Sequence, residues 1–229
     1  MRKKVALITG ASGGIGKLIA EEFAENDFDL ILQYNKNDID LSIFSEKIKV
    51  SKIKFDFNDI LKITDFLCSA FEIYGKIDVL VNNISSFNES NMDSVSFENF
   101  IEDLKLNAWS SFELSRCFCK RNFLGSIINV LDSKITGQDK EHFAYHMSKI
   151  ILTQFTKELA LEYAPNYRVN AVAPGLINFN DNKNLNFDNL PLKKTGNAKD
   201  VAKAVFYLAN ADFITGQIIF TDGGRHIRN

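Results

Sequence analysis

The chain has 229 residues, of which 45% are hydrophobic and 24% are charged. These values are typical of a soluble globular protein of one domain, and they exclude a disordered or fibrous chain. Because 27 basic residues are balanced by 29 acidic ones, the composition predicts neither a surface for nucleic acid nor a polybasic membrane tether.

The first apolar run and the cysteines exclude further classes of protein. Val5–Ile8 is only four residues long before a glycine-rich segment, which is too short for a signal peptide core or a membrane span. The three cysteines, Cys68, Cys117 and Cys119, lack C-x-x-C spacing. We therefore predict no disulfide framework and no metal site, and we expect a reducing, cytoplasmic location.

Short runs rich in β-branched residues alternate with segments of helical periodicity. Strands are predicted at Lys4–Thr9, Phe28–Tyr34, Lys52–Asp56, Ile77–Val81, Ser126–Leu131, Arg168–Ala173 and Gln217–Thr221. Helices are predicted at Gly14–Asn26, Asp59–Tyr74, Phe97–Asn122, Phe143–Tyr163 and Ala198–Ala209. This alternation predicts a doubly wound α/β fold, with a seven-stranded parallel sheet and helices on both faces, as one domain over residues 1–229.

One segment, residues 178–197, lacks periodicity and contains seven asparagines. It follows the sixth predicted strand, and ligands bind beyond the carboxyl ends of the strands in such sheets. A plain surface connection is one interpretation. Its position favours the other, a substrate-binding loop inserted in the domain.

The first predicted strand runs directly into a glycine-rich turn and then a helix. Gly10 allows the tight turn, Gly14 lets the backbone approach a pyrophosphate, and Gly16 lets the helix pack closely on the strand. The amides at the start of the helix attract negative charge. This context in a β-α-β unit predicts a dinucleotide site. Its predicted contacts in the turn are Gly10, Ser12, Gly14, Ile15 and Gly16.

The end of the second predicted strand indicates which dinucleotide binds. Tyr34, Asn35 and Lys36 provide no carboxylate for the 2′-hydroxyl of an NAD ribose. Lys36 can instead pair with a 2′-phosphate, although it could also be an ordinary surface lysine. We therefore predict NADP(H) as the cofactor.

Tyr145 and Lys149 are four residues apart on a predicted helix, so both project from one face. A nearby ammonium favours the phenolate, and we expect it to lower the pKa of the tyrosine by about 1–3 units from about 10. The phenol would then be a useful general acid. His146 lies on another face of the helix, where we expect it to be exposed.

Four motifs together resemble the short-chain dehydrogenase/reductase family. They are the G-x-x-x-G-x-G spacing of the turn, Asn82-Asn83, Tyr145-x-x-x-Lys149 and Pro174-Gly175. The resemblance implies a Rossmann-type sheet, a small-molecule substrate and Tyr145 as proton donor. It implies that Lys149 tunes the tyrosine and that Asn107 holds a proton-relay water. Further implied cofactor contacts are Asp56, Phe57, Asn83, Tyr145, Lys149, Pro174, Gly175 and Ile177.

The chain departs from the family at Asp132, thirteen residues before Tyr145, where the family usually has a serine. A serine polarises a carbonyl by donating a hydrogen bond, whereas an ionised carboxylate cannot donate and repels a developing alkoxide. Ketone reduction is therefore disfavoured. Asp132 could instead help to protonate the nitrogen of a C=N group, or pair with amino and ring N–H donors of a heterocycle.

The aspartate makes the chain similar to the pteridine reductases, a branch of the family. Asn83-Ile84-Ser85-Ser86-Phe87 resembles their Asn-Ala-Ser-Ser-Phe stretch, which implies that Phe87 stacks on the pterin and that Ser85 contacts it. Residues 137–142, 174–180 and 222–228 resemble dihydromonapterin reductases. Glycines at positions 13 and 14, where this branch usually has basic residues, depart from its pattern. We predict an NADPH-dependent reductase of a dihydropterin, of the dihydromonapterin or dihydrofolate type.

Two alternatives remain open. A general carbonyl reductase, including a 3-oxoacyl-carrier-protein reductase, would need Ser133 in the serine role through a one-residue slip, which reverses the side-chain direction. A catalytically silent NADP-binding protein would not need Tyr145, Lys149 and Asn107. The helices predicted at Phe97–Asn122 and Phe143–Tyr163 correspond to those that pair subunits in the family, so we expect a homo-oligomer, a dimer or tetramer.

Overall fold

A computed structural model describes residues 2–121, 124–179, 187–188 and 190–228. Seven strands form one parallel sheet in the order β3-β2-β1-β4-β5-β6-β7. The strands are β1 (Val5–Ile8), β2 (Asp29–Tyr34), β3 (Val50–Lys54), β4 (Val79–Asn82), β5 (Gly125–Val130), β6 (Tyr167–Pro174) and β7 (Ile218–Thr221). The predicted fold class, a Rossmann-type sheet in a single domain, is confirmed.

In the described part of the chain, six α-helices connect these strands: α1 (Gly14–Glu25), α2 (Ile63–Tyr74), α3 (Phe97–Asp103), α4 (Ser110–Arg121), α5 (Phe143–Glu162) and α6 (Ala198–Asn210). A π-helical stretch, Leu104–Trp109, joins α3 to α4. Short 3-10 turns lie at Leu41–Ile43, Ile60–Lys62, Ser133–Thr136 and Arg225–Ile227. Across the described residues, no helix is long and apolar enough to cross a membrane.

The continuous apolar character of the strands follows from the two helical layers. In β1, Ala6 and Ile8 pack against α1 and α6 on one face of the sheet. Val5 and Leu7 pack against α2, α4 and α5 on the other face. All four side chains are buried. A strand covered on both faces needs apolar residues at every position, which removes the alternation typical of a half-exposed strand.

Several predicted elements have shifted ends in the structure: β4 begins two residues later than predicted, and the helix predicted from Asp59 is α-helical only from Ile63. β3 begins and ends two residues earlier than predicted, because Val50 and Ser51 already pair with β2. The predicted helix Phe97–Asn122 is interrupted by the π-helical stretch, in which Asn107 is completely buried. Single π-turns within helices are frequent at functional sites.

The strand order places a crevice beside the glycine-rich turn. The chain moves outward from β1 to β2 and β3, and then returns to β4 on the other side of β1. Ligands bind at such a reversal, beyond the carboxyl ends of the strands. The segments that follow β1, β4, β5 and β6 therefore meet at one end of the sheet.

Candidate active site

The glycine-rich turn between β1 and α1 has the shape of a pyrophosphate cradle. Gly10 and Gly14 have φ angles of +62° and +54°, which favour glycine. A Cβ on Gly16 would overlap the Gly10 carbonyl oxygen and lie 2.6 Å from Nδ2 of Asn83. No side chain of the described residues caps α1 at Gly13, so the first amides of the helix remain available to an anion. The turn therefore fits the pyrophosphate of a dinucleotide.

A cleft of about 440 Å³ continues from this turn past the ends of β2 and β3. Its lining includes the predicted cofactor contacts Gly10, Ser12, Asn35, Lys36, Asp56 and Phe57, and also Ser85. A hydrogen bond from the amide of Asn58 is the main cause that lowers the pKa of Asp56, and the charge of Lys36 acts in the same direction. Lys36 and Asp56 thus line the same cleft, and the charge of the lysine reaches the carboxylate.

Several predicted cofactor contacts lie outside the lining of this cleft. Tyr34 is near Lys52, whose Nζ lies 5.9 Å from the centre of the tyrosine ring. Asn83 donates from Nδ2 to the carbonyl oxygens of Thr9 and Gly10, at 3.3 Å and 3.1 Å. Asn83 therefore holds the start of the glycine-rich turn against the end of β4. Thr9 accepts from the Asn83 amide and was not singled out in the sequence.

On the other side of the crevice, the end of β6 is held by tight backbone contacts. A Cβ on Gly175 would lie 2.5 Å from Cα of Asp222, so the chain after Pro174 packs directly on the C-terminal segment. Ile177 forms a bridge with Gly196, which closes the segment 178–197 at its base. Residues 180–186 and 189 of that segment lie outside the described residues.

Tyr145 and Asp132 are brought together at the carboxyl end of β5. The Tyr145 hydroxyl donates to Oδ2 of Asp132 over 3.2 Å. The other carboxylate oxygen, Oδ1, accepts from the Lys134 amide at 2.7 Å and so caps the following 3-10 turn. Asp132 is therefore fixed by two contacts, and its carboxylate faces the phenol.

The prediction that the pKa of Tyr145 is lowered by Lys149 is wrong in this structure. Burial, followed by the negative charge of Asp132, raises the pKa of Tyr145 well above its ordinary value. Lys149 lies 5.6 Å from the centre of the tyrosine ring and donates to the Val130 carbonyl oxygen. Burial also lowers the pKa of this lysine to about 8. The phenol consequently keeps its proton at neutral pH, the state that a proton donor requires.

Ser133 does not take the place of Asp132. Its side chain is completely buried, and its Oγ forms no hydrogen bond with any described residue. The hydroxyl of Tyr145 bonds to the preceding residue instead. The one-residue slip required for Ser133 to polarise a carbonyl is therefore absent from this part of the described chain.

Asn107 is the centre of a buried polar network. Its Oδ1 accepts from the Ser86 amide at 2.8 Å, and its Nδ2 donates to Ser148 Oγ at 3.0 Å. Asp103, one turn earlier, accepts from Ser86 Oγ at 2.6 Å and from Asn88 Nδ2 at 2.7 Å. The network holds the segment after β4 against the π-helical stretch. The i, i+4 spacing of Asp103 and Asn107 was the signal in the sequence that could have revealed it.

Phe87 and His146 show how the segment after β4 meets the start of α5. Phe87 is 59% exposed, and its ring meets that of Tyr145 edge to face, with 4.7 Å between centroids. The predicted exposure of His146 is wrong, since its side chain is 7% exposed and its Nδ1 accepts from the Asp139 amide. The segment before α5 folds back over that face of the helix.

The glycine cradle, the buried tyrosine–lysine pair and the parallel sheet define an oxidoreductase that binds a dinucleotide. The family model for Enoyl-(Acyl carrier protein) reductase matches residues 10–226. The chain belongs to the short-chain dehydrogenase/reductase family and is an oxidoreductase of that family.

The relatives differ from one another in activity. The chain is 30% identical to the 3-oxoacyl-[acyl-carrier-protein] reductase FabG of Buchnera aphidicola subsp. Baizongia pistaciae, with 98% of each chain covered. It is also 30% identical to glucose 1-dehydrogenase 2 of Bacillus subtilis, covering 96% of this chain and 94% of that protein.

Two solved structures with NADP share the fold. ElxO with NADP bound is 26% identical, with a TM-score of 0.87, and 98% of this chain and 99% of that chain are covered. The FolM alternative dihydrofolate reductase 1 of Brucella canis, complexed with NADP, is 24% identical, with a TM-score of 0.83 and coverage of 98% and 94%. Because the sequence identity to FolM is below 25%, this similarity shows a shared fold alone.

Proposed function

We propose that this oxidoreductase is an NADPH-dependent reductase of a dihydropterin, of the dihydromonapterin or dihydrofolate type. One observation carries the proposal: the Asp132 carboxylate faces the hydroxyl of Tyr145 at 3.2 Å. A site built for a ketone needs a donor at this place, because the oxygen of the substrate becomes negative during reduction. A heterocycle with N–H donors is matched by a carboxylate instead.

The cofactor is NADP(H), as the sequence predicted. Supporting features are the cradle at Gly10, Gly14 and Gly16 and the cleft that leads from it to Lys36. The 2′-phosphate would be bound by the Lys36 ammonium, with Ser12 and Asn35 beside it in the same cleft. Asp56 partly offsets the charge of this lysine, so we expect a moderate preference over NAD(H).

In the proposed reaction, bound NADPH supplies a hydride to C6 of the pterin, and N5 takes up a proton. Tyr145 provides that proton, because burial and Asp132 keep its phenol protonated at neutral pH. The Lys149 ammonium offsets the negative charge that remains on the phenol oxygen. Asn107 keeps the segment after β4 in place, and solvent restores the proton to Tyr145.

The substrate is bound by groups on three segments. Asp132 accepts hydrogen bonds from the amino group and a ring N–H of the pterin, Ser85 contacts its edge, and Phe87 stacks on its face. The segment 178–197 serves as a substrate loop that follows β6. Tyr145 completes the site as the proton donor. All of the predicted substrate contacts can thus be made by one flat ligand.

A second candidate function is favoured by the relatives. The 30% identity to a 3-oxoacyl-[acyl-carrier-protein] reductase over nearly the whole chain supports reduction of a carbonyl. The carboxylate at position 132 and the buried Ser133 count against it, since neither offers a hydroxyl donor to a substrate oxygen.

The deciding experiment measures NADPH oxidation with dihydropterins, dihydrofolate and simple diketones for the wild type and Asp132→Ser. Serine is also a good N-cap, so the variant keeps the 3-10 turn while it replaces an acceptor by a donor. We expect pterin kcat/KM to fall by about tenfold or more, a loss typical of a hydrogen bond to a charged group, and diketone reduction to be maintained or increased.

Tyr145→Phe is the matched control for chemistry. It should lose about 10²–10⁴-fold in turnover with every substrate while NADPH binding, followed by fluorescence, stays near that of the wild type. Wild-type activity on diketones alone would exclude the pterin assignment. An unchanged pterin kcat/KM in Asp132→Ser would show that the carboxylate at position 132 is not what selects a pterin, and the observation that carries the proposal would be lost. NADPH binding without turnover of any substrate would favour a silent cofactor-binding protein.

We also propose that the protein forms a homo-oligomer. Trp109 is 44% exposed and packs on Phe112, which in turn packs on Phe155 of α5 with 4.5 Å between ring centroids. This aromatic group, Trp109–Phe112–Phe155, bridges the two helices that the sequence analysis assigned to subunit pairing. Aromatic side chains of this kind are enriched in protein interfaces.

A further inference from the structure

A short backbone pairing brings Phe87 close to the start of α5. The Ser90 amide donates to the Glu141 carbonyl at 2.8 Å, and the Phe143 amide donates to the Ser90 carbonyl at 2.8 Å. His142 lies between these two bonds and forms an isolated bridge with Ser90. The segment that carries the proposed stacking residue is therefore attached directly to the residue three positions before Tyr145.

The His142 imidazole stacks on the Phe87 ring. Their centroids are 3.9 Å apart, and the planes differ by only 17°. The His142 side chain is 13% exposed, whereas Phe87 is 59% exposed. The histidine covers one face of the phenylalanine, and the remaining surface of Phe87 is open beside Tyr145.

His142 is itself held by a buried carboxylate. Oδ1 of Asp139 accepts from the backbone amide of His142 at 3.2 Å and lies 3.4 Å from its Nδ1. The other oxygen of Asp139 accepts from the Lys134 ammonium, and the Asp139 side chain is 2% exposed. The Lys134 backbone amide in turn donates to the Asp132 carboxylate. The contacts run from Asp132 through Lys134 and Asp139 to His142.

We propose that His142 is a positioning residue that holds Phe87 ready to stack on a flat heteroaromatic substrate. This inference rests on the proposed pterin function. A ring this exposed, on a segment outside the sheet, would otherwise lose conformational freedom on binding, and fixing it in advance removes that cost. The substrate then forms the next layer after His142 and Phe87. A small aliphatic diketone gains nothing from such a layer.

The test compares steady-state constants of the full-length holoenzyme for a dihydropterin, a diketone and NADPH. His142→Ala should raise the KM for the dihydropterin about three- to tenfold, the range that a ring-stacking contact supports. Its kcat, its KM for NADPH and its KM for the diketone should stay within about twofold of the wild type. A general loss of structure would change all of these constants together.

Two matched variants identify the property of His142 that matters. His142→Phe keeps a stacking ring without the polar contact to Asp139 and should restore the pterin KM to within about twofold of the wild type. His142→Gln keeps a polar group without the ring and should behave like His142→Ala. In a Phe87→Leu background, His142→Ala should add little further, because the two residues act through one contact.

Each result decides between the two proposals. If the wild type reduces the dihydropterin and His142→Ala leaves its KM unchanged, the positioning role is overturned while the pterin function stands. A raised KM in both His142→Phe and His142→Ala would also overturn it, since the ring would then not matter. If the wild type reduces only diketones, the pterin function fails, and the positioning role fails with it.

Discussion

Lys149 is an ammonium group placed almost entirely out of water, and its titration makes the stability of the protein depend on pH. It is 2% exposed, and burial lowers its pKa from 10.5 to about 8 against the opposing effect of Asp132. Its hydrogen bond to the Val130 carbonyl fixes the side chain near Tyr145. Burial of this lysine in its charged form therefore lowers the stability of the folded protein.

The direction of this pH dependence follows from the two pKa values of Lys149. Between pH 8 and 10.5 the unfolded chain binds more protons than the folded one, so the free energy of unfolding should rise with pH across that window. For the wild type without cofactor, we expect the rise between pH 7.5 and 9.5 to exceed that of Lys149→Met by roughly 2 kcal/mol.

Urea unfolding of both proteins at several pH values measures this difference. Both proteins contain all the other titrating groups, so the contribution of those groups cancels when the variant is subtracted from the wild type. A wild-type-minus-variant difference that stays constant from pH 7.5 to 9.5 would contradict the lowered pKa of Lys149.

At the scale of elements, the junction of β1 and α1 leaves no room for a side chain at Gly16 and ample room at Gly13, three residues earlier. A Cβ on Gly16 would overlap the Gly10 carbonyl, whereas a Cβ on Gly13 would have no atom of the described residues within 4 Å. Gly13 has an extended backbone with φ of −174°, which any residue adopts. The close approach of the helix to the turn therefore requires a glycine at position 16.

Gly16→Ala should force α1 away from the turn. We expect it to destabilise the protein by about 1–3 kcal/mol, the usual cost of overpacking, and to raise the Kd for NADPH about tenfold or more because the cradle widens. The matched variant Gly13→Ala should change stability by less than about 0.5 kcal/mol. Thermal unfolding and fluorescence titration measure both. Equal effects of the two substitutions would show that close packing at Gly16 is not what shapes the cradle.

At the scale of the whole molecule, the aromatic group Trp109–Phe112–Phe155 offers an outward apolar surface across α4 and α5. Light scattering after size-exclusion chromatography should give two or more times the monomer mass of 25.9 kDa. Trp109→Glu should reduce this mass, because it places a charge at the centre of the proposed interface.

Leu61→Glu is the control for that measurement. Leu61 is 91% exposed, lies in the 3-10 turn before α2 and does not belong to the aromatic group, so the mass should stay unchanged. A monomeric wild type would exclude the proposed oligomer, and an unaltered mass for Trp109→Glu would exclude this interface.

The sequence by itself determined the features that depend on local spacing. Runs of five to seven residues rich in β-branched residues predicted the parallel strands, and the glycines at positions 10, 14 and 16 predicted the cradle after β1. The four-residue separation of Tyr145 and Lys149 predicted that they share a helix face, because helical geometry fixes that relation. The thirteen-residue separation of Asp132 and Tyr145 also identified the unusual carboxylate.

Only the tertiary structure decided how distant segments act on one another. Lys149 was expected to lower the pKa of Tyr145, but burial and Asp132 raise it, and both effects depend on how β5 meets α5. His146 is buried because residues 137–142 fold over it, and His142 stacks on Phe87 because of a bridge to Ser90. Solvent exclusion and contacts between remote residues arise from packing, which periodicity and motif spacing do not encode.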